Sequence, residues 1–208
     1  MTRTRPTQER AVRTRELLLR AGAEVFDECG YAGAGVTKIL ERAGLTAGAL
    51  YFHFKSKEGL AKAVMNAQSG TIEPLLASEG LQRLVDITLV WAQRLQVDPV
   101  LRAGVRLSVE QGSFGVQDAT AYLNWRDIMT ECLRRAESDG ELLPDVDPGQ
   151  VAEFVVGACT GVQLYAQLVS NRADLPQRTV AMWQLLLPGI AGADVVRRID
   201  LDPERGRA

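Results

Sequence analysis

"TKILERAGLTAGALYFHFKSKEGL", from Thr37 to Leu60, decides how this chain folds. It holds the single histidine, His53, and a run of small residues. It also packs three aromatics, Tyr51, Phe52 and Phe54, into four positions. Thr37 is placed to cap a short helix running through Ala43, with Ile39 and Leu40 turned inward. Glu41 lies four positions after Thr37, so a capping box is absent. Gly44 breaks that helix. Thr46 is placed to cap the next one, which includes Ala47 to Phe52. Two short helices joined by a tight turn, behind a longer first helix, make a helix-turn-helix.

The small residues then have a use. Ala47, Gly48 and Ala49 keep the front of the second short helix slim enough to approach a major groove about 12 Å wide. Thr46, at its N-terminal end, meets a phosphate with its hydroxyl and with free backbone N–H groups. Tyr51 and His53 have polar tips that reach the DNA backbone, and Lys57 meets another phosphate. Phe52 and Phe54 are expected to brace the unit against helices one and four. The expected DNA-binding set is Thr37, Thr46, Ala47, Gly48, Leu50, Tyr51, His53 and Lys57. Gly44 and Gly48 also fit a simple packing role. Their spacing does not make a phosphate-cradling nucleotide loop.

Working outward, the pattern is helical almost throughout. Leu18, Ala21, Gly22, Val25, Phe26 and Cys29 fall on one helical face, and Gly30 supplies a stop. A fourth helix carries Leu60, Ala63, Val64 and Ala67. A fifth spans Leu81 to Leu95, and a sixth begins near Pro99, which suits a first helical turn. Tyr122, Trp125, Met129, Cys132, Leu133 and Ala136 mark a seventh. Val151 to Val169 marks an eighth, and Leu175 to Leu187 a ninth that stops before Pro188. The expected fold is all-α, with about nine helices. A basic arm (1–9) precedes a three-helix DNA-binding domain with a helix-turn-helix (10–56). A helical ligand-binding and dimerisation domain (57–200) follows, and residues 201–208 are expected to fray as a tail. The eighth and ninth helices carry more apolar surface than lone exposed helices tolerate, so they either close the core or pair with a second subunit.

Charge and cysteine usage narrow the class. The formal net charge of the 208 residues is −2. Residues 1–62 nevertheless carry a net +4 and the remainder a net −6. A basic head on an acidic body suits a first domain that meets a polyanion. Cys29, Cys132 and Cys159 are odd in number and far apart, which is neither a disulfide framework nor a metal knuckle. They read as buried thiols in a reducing compartment. The basic N-terminus lacks an apolar core for a signal peptide, and no run of about 18 apolar residues appears. A cytoplasmic protein that does not engage a membrane is expected. A lone histidine assembles no catalytic triad, and no metal cluster appears, so no catalytic residue, metal or cofactor is expected.

"GALYFHFKSKEGLAKAV" behind "VTKILERAGLT", with "RTRELLLRAGAEVFDECGY" ahead of it, resembles the DNA-binding domain of the TetR family of repressors. The resemblance implies an all-helical homodimer that reads a pseudopalindrome in double-stranded operator DNA, with an inducer pocket in the larger domain. "VLRAGVRLSVEQ", "YLNWRDIMTECLRRAESDGELLPDVD" and "VVGACTGVQLYAQLVSNRADL" are similar to the γ-butyrolactone autoregulator receptors of streptomycetes. That implies release by a small apolar γ-butyrolactone or butenolide inducer and control of antibiotic genes. Pseudo-receptors that sense an antibiotic or a biosynthetic intermediate share the pattern, and a drug-efflux regulator is a further alternative. Ala47 stands where this subfamily often has a lysine. Arg3, Arg5 and Arg10 offer a compensating backbone or minor-groove contact.

An inducer of this kind calls for an apolar tunnel with one or two hydrogen-bond donors. Trp125 lies on the inward stripe of helix seven, as a core residue or as a wall; the resemblance implies the wall. Thr130 and Thr160 supply hydroxyls. Thr160 bonds either a backbone carbonyl one turn back or a ligand. Gln68 is a candidate on helix four, which would link the pocket to the DNA reader. Gln163 and Tyr165 serve the pocket or a dimer interface through the eighth and ninth helices. Gly112 and Phe114 lie in a loop placed to gate entry.

Overall fold

The protein is described by a computed structural model covering residues 4–72 and 77–206, with side chains over 8–72 and 77–205. Ten α-helices and no strand occur among the described residues. They are α1 (Thr4–Gly33), α2 (Val36–Ala43), α3 (Ala47–Phe54), α4 (Lys57–Asn66), α5 (Gly80–Val97), α6 (Pro99–Glu110), α7 (Thr120–Ser138), α8 (Pro148–Ser170), α9 (Leu175–Ile190) and α10 (Ala193–Arg198). The helices divide between two compact units. One holds α1 to α4 with α6 and the chain to Ala121; the other holds α5 and everything from Tyr122 onward.

In the first unit, one apolar cluster joins all five helices. Leu18, Val25 and Phe26 of α1 meet Ile39 of α2, Leu50 and Phe54 of α3, Leu60, Val64 and Met65 of α4, and Ala103 and Leu107 of α6. The compact body behind the helix-turn-helix is therefore larger than the stretch 10–56. Gly30 breaks α1 with φ 67°, a backbone conformation that side chains resist. A Cβ there would also meet Arg106 Nη2 at 2.7 Å and Glu110 Oε2 at 2.9 Å. Those groups fasten α6 to the corner. Arg106 Nη1 donates to the Asp27 carbonyl at 2.7 Å, and Glu110 accepts from the Tyr31 N–H at 3.2 Å. Asp98 caps α6 by accepting from the N–H groups of Val100 and Leu101, with Pro99 in the first turn as the sequence predicts. Such a cap contributes about 1 kcal/mol.

In the second unit, α5 is buried along most of its length, including Leu84, Ile87, Leu89 and Ala92. The indole Nε1 of Trp183, on α9, donates to Thr88 Oγ1 of α5 at 2.7 Å. This satisfies the one polar atom of a fully buried tryptophan. Asp147 caps α8 by accepting from the Gln150 N–H at 2.8 Å.

Several expectations need correction. Residues 4–9, read as an arm, are already helical in α1; Arg3 lies outside the described residues. α2 starts at Val36 with Gly35 at its N-cap, so Thr37 sits inside the first turn and does not cap. Thr46 does hold the N-cap position of α3, but its side chain makes no cap hydrogen bond. Pro188 lies within the last turn of α9 rather than beyond it. The tail does not fray where it is described. Pro203–Gly206 forms a 3-10 turn against α5 and α9.

Candidate nucleic-acid interface and effector site

The buried and exposed faces of α3 separate cleanly. Leu50 is fully buried and Phe54 nearly so. Thr46, Ala47, Gly48, Tyr51, Phe52 and Lys55 are exposed. Positions four apart share a helix face, so Ala47 with Tyr51, and Gly48 with Phe52, form one continuous outer strip. The front of that strip is slim, because a Cβ added at Gly48 would meet nothing closer than Thr46 Oγ1 at 3.8 Å. A second helix behind it, α2, ends at Gly44 in the left-handed conformation.

This geometry corrects two expectations. Leu50 does not face DNA; it closes the core against α1 and α4. Phe52 does not brace the unit; it is 71% exposed. Its ring and that of His53 lie nearly perpendicular, with centroids 5.0 Å apart. His53 is half-buried between Phe52 and Phe54, consistent with a structural or backbone-contacting role. The sequence signal for Phe52 is its place four residues after Gly48. Assigning both Phe52 and Phe54 to the core ignores that helix phase.

The loop into α4 holds a residue that the sequence reading misses. Ser56 is the N-cap of α4, with its hydroxyl accepting from the Gly59 N–H at 3.0 Å. The signal for it is a serine directly before Lys57. Gly59 is required there, since a Cβ would lie 2.0 Å from the Phe54 carbonyl oxygen. Lys57 is partly buried, with Nζ 4.3 Å from the centroid of the Tyr31 ring, and this burial lowers its ammonium below the ordinary lysine value. Tyr31 in turn stacks on Phe114 at 3.9 Å, so Phe114 belongs to this packing. On α2, Lys38 and Arg42 both bond Glu28. Those hydrogen bonds, Arg42's first, hold the Glu28 carboxyl down at about 2.

The candidates for an effector site fall into both units. Gln68 belongs to the first, in the turn just past the end of α4 rather than on that helix. It is buried, its Nε2 donates to the Met65 carbonyl at 2.9 Å and to Ser108 Oγ at 3.3 Å, and its stem fills the space that Gly104 leaves open. The other four lie in the second unit. Trp125 is buried on α7. One turn earlier, burial raises the phenol of Tyr122, and Thr160 of α8 is close enough to offset part of that rise. This proximity brings the Trp125 and Thr160 segments together. Thr160 and Thr130 each donate to the carbonyl one turn back, at 2.9 and 2.7 Å. Gln163 is buried, and its Oε1 accepts from Arg172 at 3.2 Å. A groove of about 570 Å³ lies between the start of α5 and α7. Its lining includes Arg83, Glu131, Cys132 and Arg135 but none of the effector candidates, and it is more polar than a lactone tunnel would be. Burial raises the thiols of Cys132 and Cys159 above the ordinary cysteine value, the latter to about 12, which disfavours the reactive thiolate. Cys29, expected to be buried, is partly exposed. Among the described residues no cluster of His, Cys, Asp and Glu could hold a metal ion.

A slim, exposed second helix, a tight glycine turn before it and a shared five-helix core define a helix-turn-helix DNA-binding protein. Comparison with known proteins narrows this. Residues 18–64 match the family model for bacterial regulatory proteins of the tetR family, and 78–192 match the tetracyclin repressor-like C-terminal domain. The chain belongs to the TetR family and is a transcriptional regulator rather than an enzyme. It is 40% identical over 192 residues to the A-factor receptor protein of Streptomyces griseus, covering 92% of this chain and 69% of the relative. The crystal structure of TylP, a TetR regulator from Streptomyces fradiae, superposes with a TM-score of 0.87 at 40% identity, covering 95% of each chain. A γ-butyrolactone receptor described as ArpA-like gives 0.71 at 30% identity, covering 95% of this chain and 98% of that one.

Proposed function

We propose that this protein is a repressor that binds a pseudopalindromic operator as a dimer and leaves it when a small γ-butyrolactone or butenolide binds, thereby controlling secondary-metabolite genes. The observation that carries this reading is the 40% identity with the A-factor receptor across 92% of the chain, spanning both units. A DNA-bound regulator of this kind works in the cytoplasm.

On the DNA side, α3 enters the major groove with Ala47 and Gly48 leading. Thr46, Tyr51, His53 and Lys57 hold phosphates, with Thr37 flanking them. Phosphate contacts of this sort set register and orientation while base contacts carry specificity. On the effector side, Trp125 forms an apolar wall, with Thr130, Thr160 and Gln163 as polar partners. The ligand favours the arrangement that does not fit DNA, and its difference in affinity between the two arrangements sets the loss of DNA binding.

The partner is a second copy through α8 and α9. The outer face of α8 exposes Phe154, Tyr165, Leu168 and Val169, and that of α9 exposes Leu185. Among the described residues, α8 alone is long and apolar enough to cross a membrane, with a mean hydropathy of 1.2. The dimer reading explains its apolar face differently. Gly157 and Gly161 lie on the same strip, and a methyl group added at either would meet no atom within 4 Å. That leaves room for a close helix approach.

A footprint on duplexes selected from a random library tests the reading. Two protected half-sites centred about 10 base pairs apart, or a multiple, are expected for a two-fold dimer. A single protected half-site, or no selected duplex from a folded dimer, would contradict it.

A further inference from the structure

We infer that Phe52 is a sequence-reading residue, laying its ring against the C5-methyl group of a thymine in the major groove. The inference rests on the reading of α3 as the helix that enters DNA. A singly exposed apolar residue is ordinary on a protein surface, so its 71% exposure decides nothing alone. Its position and the composition of its helix decide.

Phe52 lies one turn beyond Gly48 on the outer strip of α3, beside Tyr51. The core beneath is already closed by Leu50 and Phe54, so the ring is not needed for packing. Its ring stands nearly perpendicular to that of His53, with centroids 5.0 Å apart. The eight residues of α3, AGALYFHF, contain no Arg, Lys, Asn, Gln, Asp or Glu. The bidentate pairings that distinguish guanine and adenine, and the carboxylate contact to cytosine, are therefore unavailable from this helix. A phenyl ring offers neither donor nor acceptor to a phosphate. The thymine methyl is the apolar feature that the major groove presents, and Phe52 is the large apolar side chain that this helix exposes without a polar tip. Readout by α3 is thus weighted toward thymine.

The test uses the full-length protein and duplexes it selects from a random library. Each thymine of the half-site is replaced in turn by deoxyuridine, which removes the methyl alone. At one or two positions per half-site the native protein should lose about fourfold in affinity per methyl. The Phe52→Ala variant should bind thymine and deoxyuridine duplexes equally at those positions, and Phe52→Leu should retain part of the discrimination. Circular dichroism of both variants should match the native protein, since the side chain is outside the core. Identical deoxyuridine sensitivity in native and Phe52→Ala proteins would overturn the inference while leaving α3 as the DNA helix. If Ala47→Glu and Tyr51→Ala also bound like the native protein, the reading of α3 itself would fall.

Discussion

Arg205 and Asp86, 119 residues apart in sequence, meet through two hydrogen bonds of 2.9 Å, Nε to Oδ1 and Nη2 to Oδ2. Asp86 is buried on α5 and also accepts from Ser78 and Gln82. Arg205 bonds Asp200 as well, so the C-terminal segment is clasped to α5. Arg205→Ala is expected to destabilise the protein by about 2 kcal/mol, because it leaves a buried carboxylate short of its cation. Urea unfolding of native and variant checks this.

The same pair sets a pH dependence. Burial alone would raise the Asp86 carboxyl, but the hydrogen bonds from Arg205, Ser78 and Gln82 outweigh it and hold the group below the ordinary aspartate value. A depressed folded value means that this contribution is complete above the unfolded value, about 3.9, and is lost as pH falls through the folded one. The native protein should therefore lose stability more steeply than Arg205→Ala on acidification from about pH 5. Parallel acid slopes in the two proteins would refute this assignment.

Gly59 and Gly48 should respond oppositely to alanine. Gly59→Ala puts a methyl against the Phe54 carbonyl oxygen and should cost about 1–3 kcal/mol as backbone and packing shift. Gly48→Ala meets open space and should stabilise α3 by up to about 1 kcal/mol. It should nonetheless weaken operator binding, because the added methyl stands on the DNA-facing strip. Thermal melts paired with operator titrations separate the two effects.

Lys57→Met should flatten the salt dependence of operator binding. Each lost phosphate contact removes about 0.9 from the slope of log K against log salt, so a dimer should lose about 1.8. An unchanged slope would place the Lys57 ammonium, 4.3 Å from the Tyr31 ring centroid, in a purely structural role.

Leu168→Glu should yield a folded monomer. Leu168 is 87% exposed, so a polar replacement costs the subunit little. In a dimer through α8 it would bury a charge without a partner. Sedimentation equilibrium distinguishes a monomer from an intact dimer.

Much of the fold is legible in the sequence because helical periodicity is a strong signal. The stripe from Leu18 to Cys29 and the Asp98–Pro99 start of α6 both appear where the pattern places them. Short elements are harder. α10 has six residues, too few for a periodic pattern. The clasp of Arg205 on Asp86 joins residues that no local rule connects. On α3, Ala47, Gly48 and Tyr51 are exposed on the outer strip, and Thr46 is exposed at the N-cap. Leu50 is instead fully buried, because its helix phase turns it to the core. In the second unit Tyr122 of α7 lies near Thr160 of α8; sequence spacing places each residue on its helix but cannot pair them.

The most direct measurement of the central claim follows fluorescence anisotropy of the protein on its selected operator while a γ-butyrolactone is added, with Trp125→Ala alongside. The native protein should be released, and Trp125→Ala should bind DNA normally but need at least about tenfold more lactone, given the contact area an aromatic wall supplies. A native complex that stays intact across a panel of γ-butyrolactones and butenolides would contradict the account.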